Sequence, residues 1–412
     1  MRRRLFTARL FAPRRVRLFP TPTPIRDWRA ASRGQVYRLL HGDNRQRLKE
    51  LPDNSIDAVI CDPPYGLGDP PTPKQLVHIL TAWLAGEDSP NKGRGYMGKA
   101  WDAFVPGPSV WRECLRVLKP GGHLLAFFGT RTLDIGGLAI RLAGFEIRDT
   151  LAWLYGSGMI HSRNLAADIG KIEPGRAEEF EGLGTGVKPC YEPIVLARKP
   201  VEGTIAANVL RYGTGGLGVG ACKLSRGSSP GNLIHDGSPE IIDLFPSTKP
   251  RRPQVRDGAP MDAGGNWNYK RPDSLIDDLG GSAARYFYCA KADKRDRDAG
   301  LEHWPEASAG LRAGGRAEGS AGLDNPRAGT RSPAKNTHPT VKPTALMTWL
   351  IKLVLPMGGV ALDPFAGSGS TGRAAAFAGC GFIGCELNAE YIELACARIK
   401  EALDKDPCPA ET

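Results

Sequence analysis

Residues 359–372, GVALDPFAGSGSTG, constrain the fold of this 412-residue chain more than any other stretch. Val360-Ala361-Leu362 is a short apolar run closed by Asp363-Pro364. Gly367, Gly369 and Gly372 then follow among small residues, leading into a helix-forming run from Thr371 to Ala378. Proline cannot continue a central strand, and glycine accepts the backbone conformations of a tight turn. The order strand, glycine-rich turn, helix therefore predicts the first half of a βαβ unit. A strand from Gly381 to Cys385 and a helix from Ala389 to Leu403 complete it.

The same alternation runs from Gly34 onward. Strands are predicted from Val36 to Leu40, Ile56 to Cys61, His123 to Phe128, Phe145 to Trp153 and Glu192 to Ala197. Helices are predicted from Asn44 to Leu51, Pro108 to Leu118 (closed by Lys119-Pro120-Gly121-Gly122), Thr132 to Ala143 and Thr344 to Val354. Strands that alternate with helices predict a parallel, doubly wound α/β sheet. From Pro200 to about Ala283 the chain is rich in Gly, Pro, Asn and Arg with weak periodicity, and 292–336 is nearly low-complexity and predicted to be a flexible loop.

The formal net charge of +11 favours an anionic partner such as nucleic acid. Part of it is local: Met1 to Leu18 holds seven arginines and no acid. That segment reads as a transit peptide, a basic arm for nucleic acid, or an over-extended reading frame. The nine cysteines are odd in number and never spaced CxxC, so neither a disulfide framework nor a zinc site is predicted. Uninterrupted apolar runs stay too short for a membrane span.

Two segments carry chemistry. In Cys61-Asp62-Pro63-Pro64-Tyr65-Gly66 a β-rich strand stops at an acid, two prolines and an aromatic; alone this is a strand followed by a Pro-Pro turn. Gly367 to Gly372 matches GxGxxG between strand and helix, and Glu386 supplies an acid at the end of the next strand. Small residues let a ligand approach the backbone there, and the acid suits ribose hydroxyls. The spacing fits a nicotinamide or flavin dinucleotide and S-adenosylmethionine (SAM) alike.

Read together, the segments resemble the two motifs of amino-group DNA methyltransferases: Asp363 to Gly369 their SAM motif, and Asp62-Pro63-Pro64-Tyr65 their catalytic motif. Catalytic motif first, variable region between, SAM motif near the C-terminus resembles the β-class, circularly permuted arrangement. His41-Gly42-Asp43-Asn44, Leu118 to Gly122, Lys188 to Ile194 and His338-Pro339-Thr340-Val341-Lys342-Pro343 resemble a subgroup common in phages and prophages. The resemblance covers Val36 to Arg398. It implies a Rossmann-like SAM-dependent methyltransferase fold: a doubly wound, mostly parallel sheet of seven strands with one reversed edge strand, circularly permuted, with an inserted target-recognition region. The domains expected are a basic, disordered N-terminal segment (1–33), a catalytic half (34–199), a target-recognition insert (200–291), the flexible loop (292–336), a SAM-binding half (337–404) and a tail (405–412).

The resemblance also implies roles. An exocyclic amino nitrogen is a poor nucleophile because its lone pair is delocalised into the ring. The Asp62 carboxylate and Pro63 carbonyl would accept its hydrogens, Pro63 and Pro64 would hold those acceptors rigidly, and Tyr65 would stack on a base flipped from the duplex. Phe365, Gly367 and Gly369 would surround SAM, Glu386 would take its ribose, and Asp43 would face its adenine end. Thr340 and Lys342 precede a helix whose N-terminus would receive the methionine carboxylate; a solvent-exposed Lys342 is the plainer alternative. Asp363 would contact SAM or fix the turn, no metal is required, and Cys61 belongs to the core. In the insert no family pattern assigns base specificity: Arg211, Tyr212, Lys223, Arg226, Arg251, Arg252 and Lys270 could contact phosphates or base edges, or be simply solvated, and none is singled out. The expected reaction is methylation of adenine N6, because Asp heads the motif, with cytosine N4 the close alternative. RNA or protein methylation, NAD-dependent oxidoreduction and DNA binding without catalysis are more distant: a dinucleotide enzyme leaves the DPPY segment unexplained, and a binding protein leaves both motifs idle. Partners expected are double-stranded DNA, a cognate restriction endonuclease and a second copy of the chain, in a prokaryotic or phage-infected cytoplasm and away from membranes.

Overall fold

The structure, a computed structural model, describes residues 36–68, 70–88, 100–158, 162–224, 229–250, 280–290, 294–306 and 335–405. The basic segment 1–33, most of the 292–336 loop, and Arg226, Arg251, Arg252 and Lys270 lie outside the described residues. The strands are β1 (Tyr37–His41), β2 (Ile56–Cys61), β3 (Leu118–Phe127), β4 (Glu146–Leu154), β5 (Tyr191–Arg198), β6 (Leu233–His235), β7 (Ser247–Thr248), β8 (Gly281–Ser282), β9 (Tyr288–Cys289), β10 (Val360–Asp363) and β11 (Gly381–Glu386). β7 and β8 pair with each other; the other nine form one sheet in the order β1-β11-β10-β2-β3-β5-β4-β6-β9.

Two expectations about the sheet are corrected. Among the described residues it has nine strands rather than seven, because β6 and β9, from the region read as an insert, pair in parallel beyond β4. Neither three-residue β6 nor two-residue β9 is long enough to show periodicity in sequence. The reversed strand, β5, lies inside the sheet between β3 and β4, antiparallel to both, and not at an edge. The loop reading of 292–336 also fails at its ends: Lys294–Asp298 is helical, and Leu301 and Asn336 are fully buried.

Side-chain alternation in β2 separates two cores. Val59 and Cys61 face Trp83, Trp111, Phe128 and Ile140, from the helices Pro73–Leu84, Pro108–Val117 and Leu133–Leu142 and the end of β3. Ala58 and Ile60 face Leu346, Leu350 and Phe382 on the side of the Thr344–Val354 and Ser370–Phe377 helices. A sheet covered on both faces needs apolar residues on both, so its central strands read as continuous apolar runs. Lys119-Pro120-Gly121-Gly122, predicted as a helix stop, is built into β3 as an irregularity: the partner of Ile56 is Leu118, and that of Ala58 is already His123. Pro120 has no N–H, and Gly121 takes φ +77°, so the ladder breaks there. Among the described residues no helix is long and apolar enough to cross a membrane.

Candidate active site

Parallel pairing of β1, β11, β10 and β2 brings their carboxyl ends to one edge of the sheet. That edge carries Asp43 just beyond β1, Glu386 at the end of β11, Asp363 at the end of β10 and Asp62 just beyond β2. Ligands of open α/β sheets bind in this crevice. Here it opens into a cavity of about 1420 Å3 lined by all four acids.

The glycine turn leaves β10 with its acids already engaged. Asp363, 3% exposed, accepts from Phe365 N–H (2.9 Å) and from the Thr371 hydroxyl (2.6 Å), so it fixes the turn. Burial pushes its carboxyl up to about 7, although both hydrogen bonds oppose the shift. Glu386 accepts from Gly367 N–H and Asn388 N–H, each at 2.8 Å, and burial raises its carboxyl above the ordinary range. Gly367 has φ +49°, and a Cβ there would lie 2.7 Å from His338 Nε2. Gly369 departs from expectation: it does not line the cavity, and a Cβ on it would meet Ala395 Cβ at 2.8 Å. It serves the close packing of the Ala389–Asp404 helix instead.

Asp43 caps the Asn44–Arg47 helix and pairs with Arg45 at 2.5 Å; the Arg45 hydrogen bond holds its carboxyl below the usual range. Phe365 packs 6.0 Å from Trp111 at the cavity wall. Thr340 is exposed and donates its N–H to His338 Nδ1 (3.3 Å), which leaves the neutral ring's proton on Nε2. Burial depresses the His338 pKa to about 3, and the ring packs edge-on against Tyr391 at 4.6 Å. The expected helix terminus for a methionine carboxylate is occupied: Asp296 accepts from Thr344 N–H (2.7 Å) and its hydroxyl (2.5 Å).

Lys342 is not a surface lysine. Only 5% exposed, it reaches Asp62 Oδ2 at 2.8 Å, Glu192 Oε2 at 3.0 Å and the Tyr65 hydroxyl at 3.1 Å. Burial disfavours its charge, but the two carboxylates outweigh burial and hold its pKa above the ordinary lysine value. The Tyr65 hydroxyl also lies 2.8 Å from both Asp62 Oδ1 and Glu192 Oε2. Burial, then Glu192, pushes the Asp62 carboxyl up, against Lys342 and Tyr65. Pro63 and Pro64 line the same cavity, and Cys61 is buried in the core, as its place in β2 predicts.

Sequence reasoning missed Glu192, Asp102 and Asp296. Glu192 is the second residue of reversed β5, so it stands at the carboxyl ends of the flanking strands, opposite Trp153 near the end of β4. Its signal was present in Lys188 to Ile194, which the family resemblance included without a role. Asp102 and Asp296 carried no such signal.

The features available to hold SAM are the glycine turn, with its close backbone approach at Gly367, and the half-buried Glu386 carboxylate beside it. A family model described as DNA methylase, N6_N4_Mtase, matches residues 56–397. DNA adenine methyltransferase YhdJ of Escherichia coli (strain K12) is 23% identical over 365 residues, covering 88% of this chain and 83% of that protein. Two solved structures are similar at lower levels. TTHA0409 of Thermus thermophilus, complexed with S-adenosyl-L-methionine, has 19% identity and a TM-score of 0.40 over 89% of this chain and 96% of that one. The cytosine-N4-specific PvuII DNA methyltransferase has 14% identity and a TM-score of 0.43 over 89% and 90%.

Proposed function

Because the chain belongs to the N6_N4_Mtase family of DNA methylases, which draw their methyl group from SAM, we propose that it methylates the exocyclic N6 of adenine within a specific sequence of double-stranded DNA. The observation that carries this reading is the meeting, in one cavity, of the Asp62-Pro63-Pro64-Tyr65 segment and the glycine turn after Asp363. SAM supplies an electrophilic methyl on a sulfonium. The protein's task is to present an amino nitrogen whose lone pair is freed from the ring.

Asp62 and the Pro63 carbonyl accept the amino hydrogens and stabilise the positive charge that develops on nitrogen. The two prolines restrict the backbone that carries both acceptors, so their orientation is set before the base arrives. Tyr65, its hydroxyl already bonded, offers its ring to a base removed from the stack. Gly367, Phe365 and Glu386 hold the cofactor, and Asp43 lines the same cavity. Adenine is favoured by the acid at the head of the motif and by the similarity to YhdJ. Residues 200–291 serve target recognition, and the permuted order of the two halves places the catalytic motif before the SAM motif. Action beside a cognate nuclease, as a homodimer, and in the cytoplasm completes the proposal.

The test is incubation of the purified protein with SAM and plasmid DNA, digestion to nucleosides and mass spectrometry, beside Asp62→Ala. N6-methyladenine that disappears in the variant is expected. N4-methylcytosine would move the target to the other base, and absence of both products from every DNA offered would sink the reading.

A further inference from the structure

We infer that Glu192 and Lys342 are positioning residues for Asp62, and that Lys342 belongs to the methyl-acceptor side of the cavity and not to the cofactor's carboxylate. The inference rests on the methyl-transfer reading above. Asp62, Tyr65, Glu192 and Lys342 come from three distant parts of the chain and form one closed set of contacts. An ammonium has three N–H donors. All three of Lys342 find acceptors within 3.1 Å, namely Asp62 Oδ2, Glu192 Oε2 and the Tyr65 hydroxyl. A cofactor carboxylate would have to displace one of them.

Asp62 is oriented from two sides. Lys342 engages Oδ2 and the Tyr65 hydroxyl engages Oδ1 at 2.8 Å. Each carboxylate oxygen still has a lone pair for an incoming amino hydrogen. Glu192 holds the Lys342 ammonium from the other side at 3.0 Å and shares with Asp62 the single proton of the Tyr65 hydroxyl, so Lys342 is the donor that stays on Asp62 whichever carboxylate takes that proton. Two carboxylates around one ammonium leave the cluster one negative charge, suited to a nitrogen that becomes cationic. The charged and titratable groups facing Asp62 are Lys342, Glu192 and Tyr65, with Asp363 across from β10 and the Cys61 thiol on its own strand. Glu192 is flanked in turn by Tyr155.

Removing Lys342 or Glu192 should therefore displace the ionisation of Asp62 in opposite directions. Lys342→Met takes away the cation and raises it; Glu192→Gln takes away a like charge and lowers it. The experiment uses the full chain. SAM affinity is measured by isothermal titration, and single-turnover methylation of plasmid DNA is followed from pH 5.5 to 9, for wild type, Lys342→Met, Lys342→Arg and Glu192→Gln. Expected for Lys342→Met is a SAM Kd within about threefold of wild type, transfer slower by on the order of 100-fold, and an acidic limb shifted to higher pH. Glu192→Gln should shift that limb to lower pH. A tenfold or greater loss of SAM affinity in Lys342→Met with its acidic limb unmoved would make Lys342 a cofactor ligand and overturn the inference. Limbs that stay put, or move the same way in both variants, would overturn it too. Lys342→Arg decides the matter if the Met variant does not fold, because positioning predicts retained SAM affinity with slowed transfer. A wild type that binds SAM but methylates no DNA counts against the proposed function, and there the SAM titrations of the variants still judge Lys342 on their own.

Discussion

The carboxylate of Asp102, 4% exposed, organises the chain just after the two prolines. Its Oδ1 accepts from Tyr65 N–H at 2.8 Å and Gly66 N–H at 2.9 Å, and its Oδ2 from Leu67 N–H at 3.2 Å. Gly66 takes φ +64°, and a Cβ there would lie 2.9 Å from Val105 N, so the loop lies directly against the segment that follows Asp102. Three N–H donors on one carboxylate define a single loop conformation, and through it the direction of the Tyr65 ring. Asp102→Ala leaves those donors without their acceptor. Because a displacement of about 1 Å at a reacting group costs on the order of 100-fold in rate, the variant should lose about that much in kcat. Its SAM Kd should stay within about threefold, since the glycine turn is untouched. Equilibrium SAM titration beside steady-state methylation of DNA checks both. A fall in SAM affinity with kcat intact would show that Asp102 supports the cofactor side instead.

The five-residue helix Lys294–Asp298 works as a clamp. Asp296 caps the Thr344–Val354 helix, Arg297 Nη2 donates to the His338 carbonyl at 2.7 Å, and Asp298 Oδ1 accepts from Asn336 N–H at 3.0 Å. Arg398, fully buried, donates to the Ser368 carbonyl at 2.7 Å and the Asp296 carbonyl at 3.3 Å, tying the clamp to the glycine turn. Asp296→Ala removes the cap, about 1 kcal/mol, and takes the longer of two carboxylate contacts, 3.4 Å, from the buried Arg373, which keeps Glu401. A loss of about 1–2 kcal/mol by urea unfolding is expected, most of it from the cap; a loss below about 0.5 kcal/mol would mean the clamp is ornamental to stability. None of this was legible in sequence. A short polar helix such as Lys294–Asp298 buries no apolar stripe, so nothing in its periodicity separates it from the loop that follows, and its partners lie up to 102 residues away. β2 and the Thr344–Val354 helix were legible to the residue, because β2 is a mostly apolar run stopped by Asp62-Pro63-Pro64 and the helix repeats its apolar side chains at helical spacing. The acids at the strand ends were legible for the same reason: once the strands are placed, their last residues fall on the ligand-binding edge. Lys342 was visible as a residue but not as a partner of Asp62, because that contact spans 280 positions.

On the scale of the whole molecule, burial of titratable groups makes folding depend on pH in two opposed ways. Asp363 in the fold holds its proton up to about 7, whereas the ordinary carboxyl gives it up near 3.8. Between those values the folded chain binds the extra proton, so the contribution of Asp363 to stability is full below about pH 4 and is lost as pH rises through about 7. His338 and His123 run the other way. Burial first, and neighbouring cations second, hold them near 3 and 4, against an ordinary 6.5. Below 6.5 the unfolded imidazoles take up protons that the folded ones refuse, so their contribution is full above about 6.5 and is lost as pH falls. Substitution separates the two slopes. The stability of wild type minus that of Asp363→Asn should fall as pH goes from 4.5 to 7.5, while wild type minus His338→Asn should rise over the same range. Urea midpoints at four or five pH values, converted with a shared slope, give both differences. Curves that run parallel to wild type would mean these two side chains titrate in the fold as they do in water, and that the cavity is wetter at Asp363 and His338 than their packing implies.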